Sequence, residues 1–288
     1  MKLTRRNLIK YGVRLSILSV LGVGYMGRNS LTIEHHTLVF NNLPRAFNGY
    51  RIVQISDLHA SFWVNSKFLT QVVEQVNALE KDLLVITGDI ITGSINNFWK
   101  RWFPIKCDKY ISVVIEVLSK LENGPKLAVL GNHDQWDGKK TEQHLANELK
   151  RIGIGVLRNN SQMIIRGKNR ITIAGTDDVW FSGNISQALK NVSPKSFTVL
   201  LSHSPDIRED LKAHHKVDLT LCGHTHGGQI AIPYISPYYL PIKKPARYIA
   251  GLVQEPYGYT YVNRGIGTLV FPFRINASPE ITVLTLSC

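Results

Sequence analysis

The stretch Leu83-Leu84-Val85-Ile86-Thr87-Gly88-Asp89 decides the fold, because an apolar run ends abruptly in a glycine and a carboxylate. Consecutive large aliphatic side chains predict a strand that is buried on both faces, as in parallel sheets. Arg51–Ile55 precedes Ser56-Asp57 in the same way, and Lys126–Leu130 precedes Gly131-Asn132. Apolar residues at helical spacing fill the intervals between these strands. The order of elements therefore predicts an α/β fold.

Later segments extend this pattern. Residues 139–151 have helical spacing, and residues 163–173 predict a hairpin around Gly167-Lys168-Asn169. Phe197–Leu201 and Val217–Leu221 predict two more buried strands. Beyond residue 228 the chain is rich in Pro, Tyr and Gly, and we expect it to be strand-like to its end.

Length and composition favour one large domain. The 288 residues are 44% apolar and 19% charged, which predicts a substantial core and argues against disorder. We assign residues 48–286 to this domain and residues 1–30 to a leader. The net charge of +13 suits anionic partners, namely phosphate esters, anionic lipid headgroups or nucleic acid. The three cysteines form no C-x-x-C pair, so a thiolate zinc site is not expected.

The N-terminus has the features of an export or anchoring signal. Arg5-Arg6 is followed by Leu8, Ile9 and Lys10, which resembles a twin-arginine signal. The uncharged run Leu15–Gly27 has 13 residues, fewer than the roughly 20 that a transmembrane helix needs. Cleaved and uncleaved forms both remain open, as does an ordinary amphipathic helix. We expect the protein at the cell membrane or exported to its outer side.

Metal-binding residue types follow one predicted strand after another. They are Asp57 and His59, Asp89, Asn132 to Asp134, His203, and His224 with His226. Ligands of α/β sheets bind beyond the carboxyl ends of the strands, so these side chains should converge on one crevice. Imidazole, carboxylate and amide ligands suit borderline divalent ions. Two such ions, about 3.5–4 Å apart, can clamp a phosphoryl group and activate water. Asp89 is the natural bridge, and His133, beside the presumed ligand Asn132, is a candidate general acid.

In this order, the blocks resemble the calcineurin-like metallophosphoesterase superfamily, whose pattern is D-x-H, G-D, G-N-H-D/E, H and G-H-x-H. They stand here as Asp57-Leu58-His59, Gly88-Asp89, Gly131-Asn132-His133-Asp134, His203 and Gly223-His224-Thr225-His226. The resemblance covers nearly the whole body of the chain. It implies a four-layer αββα sandwich and a centre of two divalent metal ions, Mn, Fe or Zn.

The resemblance also implies individual roles. One ion would take Asp57, His59, Asp89 and His226, and the other Asp89, Asn132, His203 and His224. His133 resembles the catalytic histidine of the family, and Asp134 resembles the residue that orients it. Motifs after residue 223 look like one bacterial branch with twin-arginine or anchoring leaders. Some members of that branch are phosphodiesterases, and some cleave the pyrophosphate of UDP-2,3-diacylglucosamine in lipid A synthesis.

Residues outside the blocks bear on the substrate. Arg264, in Asn263-Arg264-Gly265, is a candidate for binding the substrate phosphate, with a surface salt bridge as the alternative. Residues 95–106 combine aromatic side chains with cations, and a second such set is Tyr234, Tyr238, Tyr239, Lys243 and Lys244. This mixture favours membrane interfaces, although ordinary loop packing is the alternative.

The sequence thus predicts a metal-dependent hydrolase of phosphodiester or pyrophosphate bonds. We expect a phosphoester substrate, lipid-linked or a nucleotide-sugar lipid, at a membrane surface. We expect a monomer and no nucleic acid, because an exported protein seldom meets it. A soluble phosphodiesterase or phosphatase with a small substrate is the first alternative. A metal-bound scaffold that binds a partner is the second, and a nuclease is the third.

Overall fold

The computed structural model describes residues 5–93, 107–212, 214–232, 234–269 and 271–288. In chain order the helices are α1 (Arg5–Gly27), α2 (Ser66–Ala78), α3 (Cys107–Leu118), α4 (Asn132–Gln135), α5 (Lys139–Arg151) and α6 (Ile185–Ala188). The strands are β1 (Thr32–Val39), β2 (Tyr50–Ile55), β3 (Leu83–Thr87), β4 (Lys126–Val129), β5 (Ile154–Val156), β6 (Asn160–Arg166), β7 (Asn169–Gly175), β8 (Thr198–Leu201), β9 (Leu219–Cys222), β10 (Gly251–Gln254), β11 (Tyr259–Val262) and β12 (Glu280–Ser287).

Within the described ranges, the strands form two six-stranded sheets. The first has the order β1-β12-β2-β3-β4-β5, and the second β10-β11-β9-β8-β7-β6. In the first sheet, β2, β3, β4 and β5 run parallel. In the second, β7, β8, β9 and β11 run parallel, with β6 and β10 antiparallel at the edges. Parallel strands end at a common edge, so the segments after them are brought together there.

The two sheets pack face to face over an apolar core. Ile52, Val85 and Leu127 of the first sheet share one buried cluster with Val199 and Leu221 of the second. Alternation along each strand places the other side chains on the outer faces, where helices cover them. The inner cluster is therefore the contact between the two sheet layers of the sandwich.

The outer layers differ in thickness. Helices α2, α3 and α5 cover the first sheet, with Val72, Val114 and Leu145 fully buried against it. The second sheet is covered by the short α6 and by a 3₁₀ segment, Pro205–Asp210. Ile185 of α6 packs there against neighbours on the sheet. The predicted αββα sandwich is confirmed, with a thin layer on the second sheet.

Local sequence sets the start of α2. The Asn65 side chain accepts a hydrogen bond from the backbone N–H of Phe68 and caps the helix. Such a cap satisfies one of the N–H groups that a helix start leaves unpaired. Phe68, Val72 and Val76 then repeat on one face and are buried. The predicted helix 139–151 is likewise present as α5.

Two predictions about extent need correction. The sheet begins before residue 48, because β1 pairs in parallel with the C-terminal strand β12. The strand-like reading after residue 228 was wrong for much of the segment, since 229–250 and 263–279 are largely irregular. Side chains satisfy much of the backbone there. Ser236, for example, donates to Ile230 O and accepts from Ile232 N–H.

The predicted leader is helical over most of its length. Residues 5–27 form α1, and the C-terminal end of α1 contacts the body where Arg274 N–H donates to Gly24 O (2.9 Å). Among the described residues, no helix has the length and apolar character needed to cross a membrane. Export or anchoring by residues 1–30 stays a prediction.

Candidate metal centre

Loops at the carboxyl ends of the strands carry the predicted ligands in unusual backbone conformations. Positive φ angles occur at Asp57 (48°), His59 (45°), Asp89 (51°), His224 (73°) and His226 (53°). A left-handed backbone conformation costs a non-glycine residue about 1–3 kcal/mol. Residues held in such conformations cluster at functional sites. Neighbouring loops support it here: Asp57 N–H donates to Gly88 O, and His59 N–H donates to Asp89 O, both at 2.9 Å. The fold therefore holds these side chains in fixed positions.

One cluster joins the first and last sequence blocks. Asp57 Oδ1 lies 3.3 Å from His226 Nε2. His59 Nε2 lies 3.0 Å from the same nitrogen and 3.4 Å from Asp89 Oδ2. The ligand atoms of Asp57, His59 and His226 are close enough together to hold one metal ion. All are buried, so few water molecules compete for them.

A second cluster shares Asp89. Its Oδ2 atom lies 3.1 Å from His203 Nε2, which is 3.1 Å from His224 Nδ1. The Nδ1–H of His203 donates to Thr87 O (2.8 Å), which turns the lone pair of Nε2 toward the cluster. The Asn132 carbonyl oxygen is buried and has no hydrogen-bond partner among the described residues. Such an oxygen is costly to bury unless it binds a ligand.

The electrostatics of the clusters fit divalent cations. Burial lowers the pKa of His59 and His226 well below the usual value and that of His224 to about 3, so these imidazoles are neutral and have a free lone pair. Burial raises the pKa of Asp57 to about 6. Nitrogen and oxygen lone pairs at about 3 Å repel each other unless a cation lies between them. The donor set of imidazole, carboxylate and amide oxygen is one that Zn, Fe and Mn accept.

His133 lies beside both clusters without belonging to the predicted ligand set. Its backbone N–H donates to Asp89 Oδ1 (2.9 Å), and its Nδ1 is hydrogen-bonded to Thr92 O. Its Nε2 lies 4.0 Å from Asp89 Oδ2 and so is directed at the space beside the clusters. Burial lowers the pKa of His133, although Asp89 opposes that shift. The exchangeable position of the ring is therefore Nε2.

The contact expected between Asp134 and His133 is not the one in the structure. Asp134 Oδ1 accepts from the backbone N–H groups of Ile90 and Ile91, and Oδ2 accepts from Gly131 N–H. The Nδ1–H of His133 donates to Thr92 O instead. Burial raises the pKa of Asp134 to about 7. Asp134 therefore stabilises the loops that carry Asp89 and His133 and does not contact the imidazole through these hydrogen bonds.

Comparison with known proteins agrees with this geometry. The calcineurin-like phosphoesterase profile matches residues 50–228, which include every predicted metal ligand. The chain belongs to the calcineurin-like phosphoesterase family. It is accordingly a metal-dependent phosphoesterase, a hydrolase whose buried His and Asp clusters can bind metal ions.

Related proteins cover nearly all of this phosphoesterase. The metallophosphoesterase YkuE of Bacillus subtilis is 33% identical over 99% of this chain and 98% of its own length. The phosphodiesterase YaeI of Escherichia coli is 31% identical over 88% of this chain and 87% of its own. A solved phosphopantetheinyl hydrolase from Mycobacterium tuberculosis is 11% identical and covers 76% of this chain and 91% of its own, with a TM-score of 0.47.

The candidate phosphate-binding residue of this phosphoesterase already has protein partners. The guanidinium of Arg264 pairs with Glu34 (2.7 Å) and Glu280 (3.0 Å), and donates to Thr32 Oγ1 (3.1 Å). These contacts correspond to the salt-bridge alternative, and they hold the 264 loop against β1 and β12. A phosphate-binding role for Arg264 stays a prediction that would require these partners to be exchanged.

Arg274 was not selected as a functional residue in the sequence analysis. It is only 1% exposed, yet its guanidinium donates to the carbonyl oxygens of Gly265, Gly267 and Ala277. It also lies 3.2 Å from Nδ1 of His226. These carbonyl partners lie within residues 265–277, and backbone carbonyl groups form no motif that the sequence could reveal. A lone Arg in the apolar surroundings Phe271-Pro272-Phe273 was the available signal.

Of the two sets of aromatic and basic residues that the sequence analysis singled out, the structure describes one. Residues 95–106 lie outside the described residues. In the second set, the Tyr239 hydroxyl donates to Gly228 O (3.0 Å), which ties the segment to the loop that follows His226. Tyr234 and Tyr238 are almost fully exposed. Asp178 accepts a hydrogen bond from Trp180 N–H (2.9 Å), and the Trp180 ring lies 5.2 Å from the ring of His224.

Proposed function

We propose that this protein hydrolyses phosphodiester or pyrophosphate bonds with two divalent ions, and that its substrate is a lipid or nucleotide-sugar lipid at a membrane. The position of Asp89 Oδ2 carries the two-ion part of the proposal, because it lies 3.4 Å from His59 Nε2 and 3.1 Å from His203 Nε2. A carboxylate oxygen between two imidazole clusters is suited to bridging two ions.

The bound ions would supply Lewis acidity toward the phosphoryl oxygens and would activate water. The protein supplies position and proton transfer. Asp89 is held by His133 N–H through its other oxygen, Oδ1. Thr92 O accepts a hydrogen bond from Nδ1–H of His133, so a second proton taken up by the ring would be carried on Nε2, from which it could pass to the leaving oxygen. The leaving group then departs as a neutral alcohol or as a phosphate with one negative charge fewer.

One observation supports a phosphodiester rather than a simple monoester. The related protein YaeI is described as a phosphodiesterase. The net charge of +13 suits an anionic substrate of any of these classes. The lipid component of the substrate is supported by exposed aromatic residues in the segment that follows His226, such as Tyr234 and Tyr238.

A substrate panel tests the proposal. The purified chain, loaded with Mn²⁺, is assayed with bis-p-nitrophenyl phosphate, p-nitrophenyl phosphate, a nucleotide diester and a UDP-linked diacyl sugar. We expect the diesters or the pyrophosphate to have the highest kcat/KM. The variant His133→Ala should lose turnover of the nucleotide diester and of the UDP-linked diacyl sugar, and His144→Ala, at an exposed histidine, serves as the matched control. Preference for the monoester would contradict the proposed bond type, and no turnover with any divalent ion would favour the scaffold.

Location is a separate part of the proposal. We propose that residues 1–30 direct the protein to the cell membrane or to its outer side, where it acts as a monomer without nucleic acid. The absence of acidic residues before Glu34 and the Arg5-Arg6 pair support this. Fractionation of cells producing the natural chain or Arg5→Lys/Arg6→Lys tests it. Retention of the double variant in the membrane or exported fraction, in the same amount, would contradict a twin-arginine route.

A further inference from the structure

We infer that the face carrying the metal centre docks on the headgroup region of an anionic lipid bilayer, with α1 lying against the same bilayer. The inference rests on the proposed function for the place of the substrate. It assigns a surface of the protein, defined here as the rim: Phe62, Trp63, Trp180, Phe181, Tyr234 and Tyr238.

Each part of the rim is linked to a candidate ligand, either along the chain or by contact. Phe62 and Trp63, which are 76% and 39% exposed, follow His59 along the chain. The exposed Trp180 has its ring 5.2 Å from that of His224. The segment with Tyr234 and Tyr238 follows His226, and those two side chains are 90% and 89% exposed. The rim therefore belongs to the segments that follow His59 and His226 and to a residue in contact with His224.

Solvent exposure of this many large aromatics needs an explanation. Large apolar side chains left in water in one neighbourhood indicate a surface that meets something else. Tyr and Trp are enriched where a protein meets the interfacial zone of a membrane, because an apolar ring and a polar group suit that zone. The rim combines such residues with the exposed cation Lys243.

The rim is continuous with α1 through backbone hydrogen bonds. Arg274 N–H donates to Gly24 O at the end of α1 (2.9 Å). The next residue, Ile275, donates to Gln229 O (3.0 Å) and accepts from Ala231 N–H (2.8 Å). Ala231 leads directly into the segment with Tyr234 and Tyr238. The end of α1 is thus attached to the same side of the protein as the metal centre.

The chemistry of α1 identifies the partner. Its exposed side chains include the apolar Leu15, Val23 and Met26 and the cations Lys10 and Arg14. Just after it, the Arg28 guanidinium lies 4.0 Å from the ring centroid of Tyr25. A segment with exposed apolar residues, cations and no acids suits the interface of an anionic bilayer. A protein partner would not account for acid-free sequence as far as Glu34.

The docked orientation has a consequence for the reaction. With the rim in the headgroup zone, the loops that carry the candidate ligands face the phosphate groups of the bilayer. A lipid phosphoester could then reach His133 and the clusters without leaving the membrane. Soluble substrates would still enter when the protein is not docked.

Vesicle co-sedimentation of the full chain tests the inference. The probes are vesicles of phosphatidylglycerol and phosphatidylcholine, and vesicles of phosphatidylcholine alone. The rim variants are Phe62→Ser/Trp63→Ser and Tyr234→Ser/Tyr238→Ser. The matched control is Met163→Ser/Ile165→Ser, at two exposed apolar residues of β6. We expect each rim variant to bind anionic vesicles at least about tenfold more weakly than the control variant.

Turnover of bis-p-nitrophenyl phosphate separates folding from docking. The rim variants should keep at least half of the turnover of the natural chain, because the substrate is soluble. Equal vesicle binding by rim and control variants would overturn the inference, since α1 alone would then account for it. A dimer that the rim variants dissociate, without vesicle binding by the natural chain, would also overturn it. Binding is measured on Asp89→Ala as well, so that failure of the proposed hydrolysis leaves the docking result interpretable.

Discussion

The Oδ2 atom of Asp89 lies 3.1 Å from Nε2 of His203. Burial by itself would raise the pKa of Asp89, but the imidazole of His203 and that of His133 hold it well below its usual range. The opposite holds for His203, whose pKa is raised by Asp89 in spite of burial. The pair thus shares one proton in the protein without metal, and a divalent ion can take the place of that proton. The same oxygen faces His59, so both clusters depend on this one carboxylate.

Asn132 tests the two clusters separately. Its carbonyl oxygen is buried without a hydrogen-bond partner in the described part of the chain, and we assign it to the ion held by His203 and His224. Asn132→Ala should weaken one of two metal-binding events by roughly 10- to 100-fold and leave the other unchanged. Titration with Mn²⁺ followed by calorimetry measures this, with the exposed Asn191→Ala as control. Equal weakening of both events would contradict the assignment.

His133 should act on the leaving group. In His133→Gln, metal content should be unchanged while turnover of an alkyl phosphodiester falls by about 10²- to 10⁴-fold. The loss should be much smaller for bis-p-nitrophenyl phosphate, because p-nitrophenolate needs little help from a general acid. Comparison of kcat for the two substrates gives the answer. Equal losses for both would show that the side chain does not serve as the acid.

Arg274 is expected to position His226. Its planar guanidinium reaches several carbonyl oxygens at once and also approaches the His226 ring. A lysine cannot reproduce that fork. Arg274→Lys should weaken metal binding at the cluster of Asp57, His59 and His226 by about 10- to 100-fold. Arg170→Lys, at an exposed arginine, is the control. Unchanged metal affinity with a lowered melting temperature would mean that Arg274 is only structural.

Metal affinity should depend on pH through Asp57. Because burial raises the pKa of Asp57 to about 6, the carboxyl is protonated below that pH in the protein without metal, and a proton must leave when an ion binds. Affinity should therefore rise more steeply below about pH 6 than above it, by about a further tenfold per pH unit, because above about pH 6 the proton shared by Asp89 and His203 still competes with the metal but the Asp57 proton does not. His59, His224 and His226 add little proton competition, since their pKa values are lowered by burial. Mn²⁺ titrations at about pH 5, 6 and 7.5 measure this, and equal slopes below and above about pH 6 would exclude the role of Asp57.

Much of the architecture was accessible from the sequence, because local patterns encode it. The apolar runs before Asp57 and Asp89 predict strands, and the carboxyl ends of parallel strands must share an edge. The strand pattern thus predicted an α/β fold, and the resemblance of the blocks to a known family implied the four-layer αββα sandwich. The structure brings the predicted ligands together, and their individual roles remain predictions.

The remainder depends on contacts between distant backbone atoms. The partner of His133 is the carbonyl of Thr92, and a carbonyl has no residue-type signature. Arg274 likewise binds carbonyl groups of loops whose paths no pattern fixes. β1 was missed because its burial pattern is irregular and only one residue, Leu38, is fully buried. Its pairing with β12 joins the two ends of the body, which short-range patterns cannot show.

Metal content measured together with turnover tests the central claim most directly. The natural chain, Asp89→Ala and the exposed control Asp108→Ala are purified with Mn²⁺ and analysed by inductively coupled plasma mass spectrometry and with bis-p-nitrophenyl phosphate. We predict two ions and turnover for the natural chain and for Asp108→Ala, and neither for Asp89→Ala, with a loss of at least about 10³-fold in rate. Two retained ions in Asp89→Ala, or a natural chain that holds two ions and hydrolyses nothing, would contradict the account.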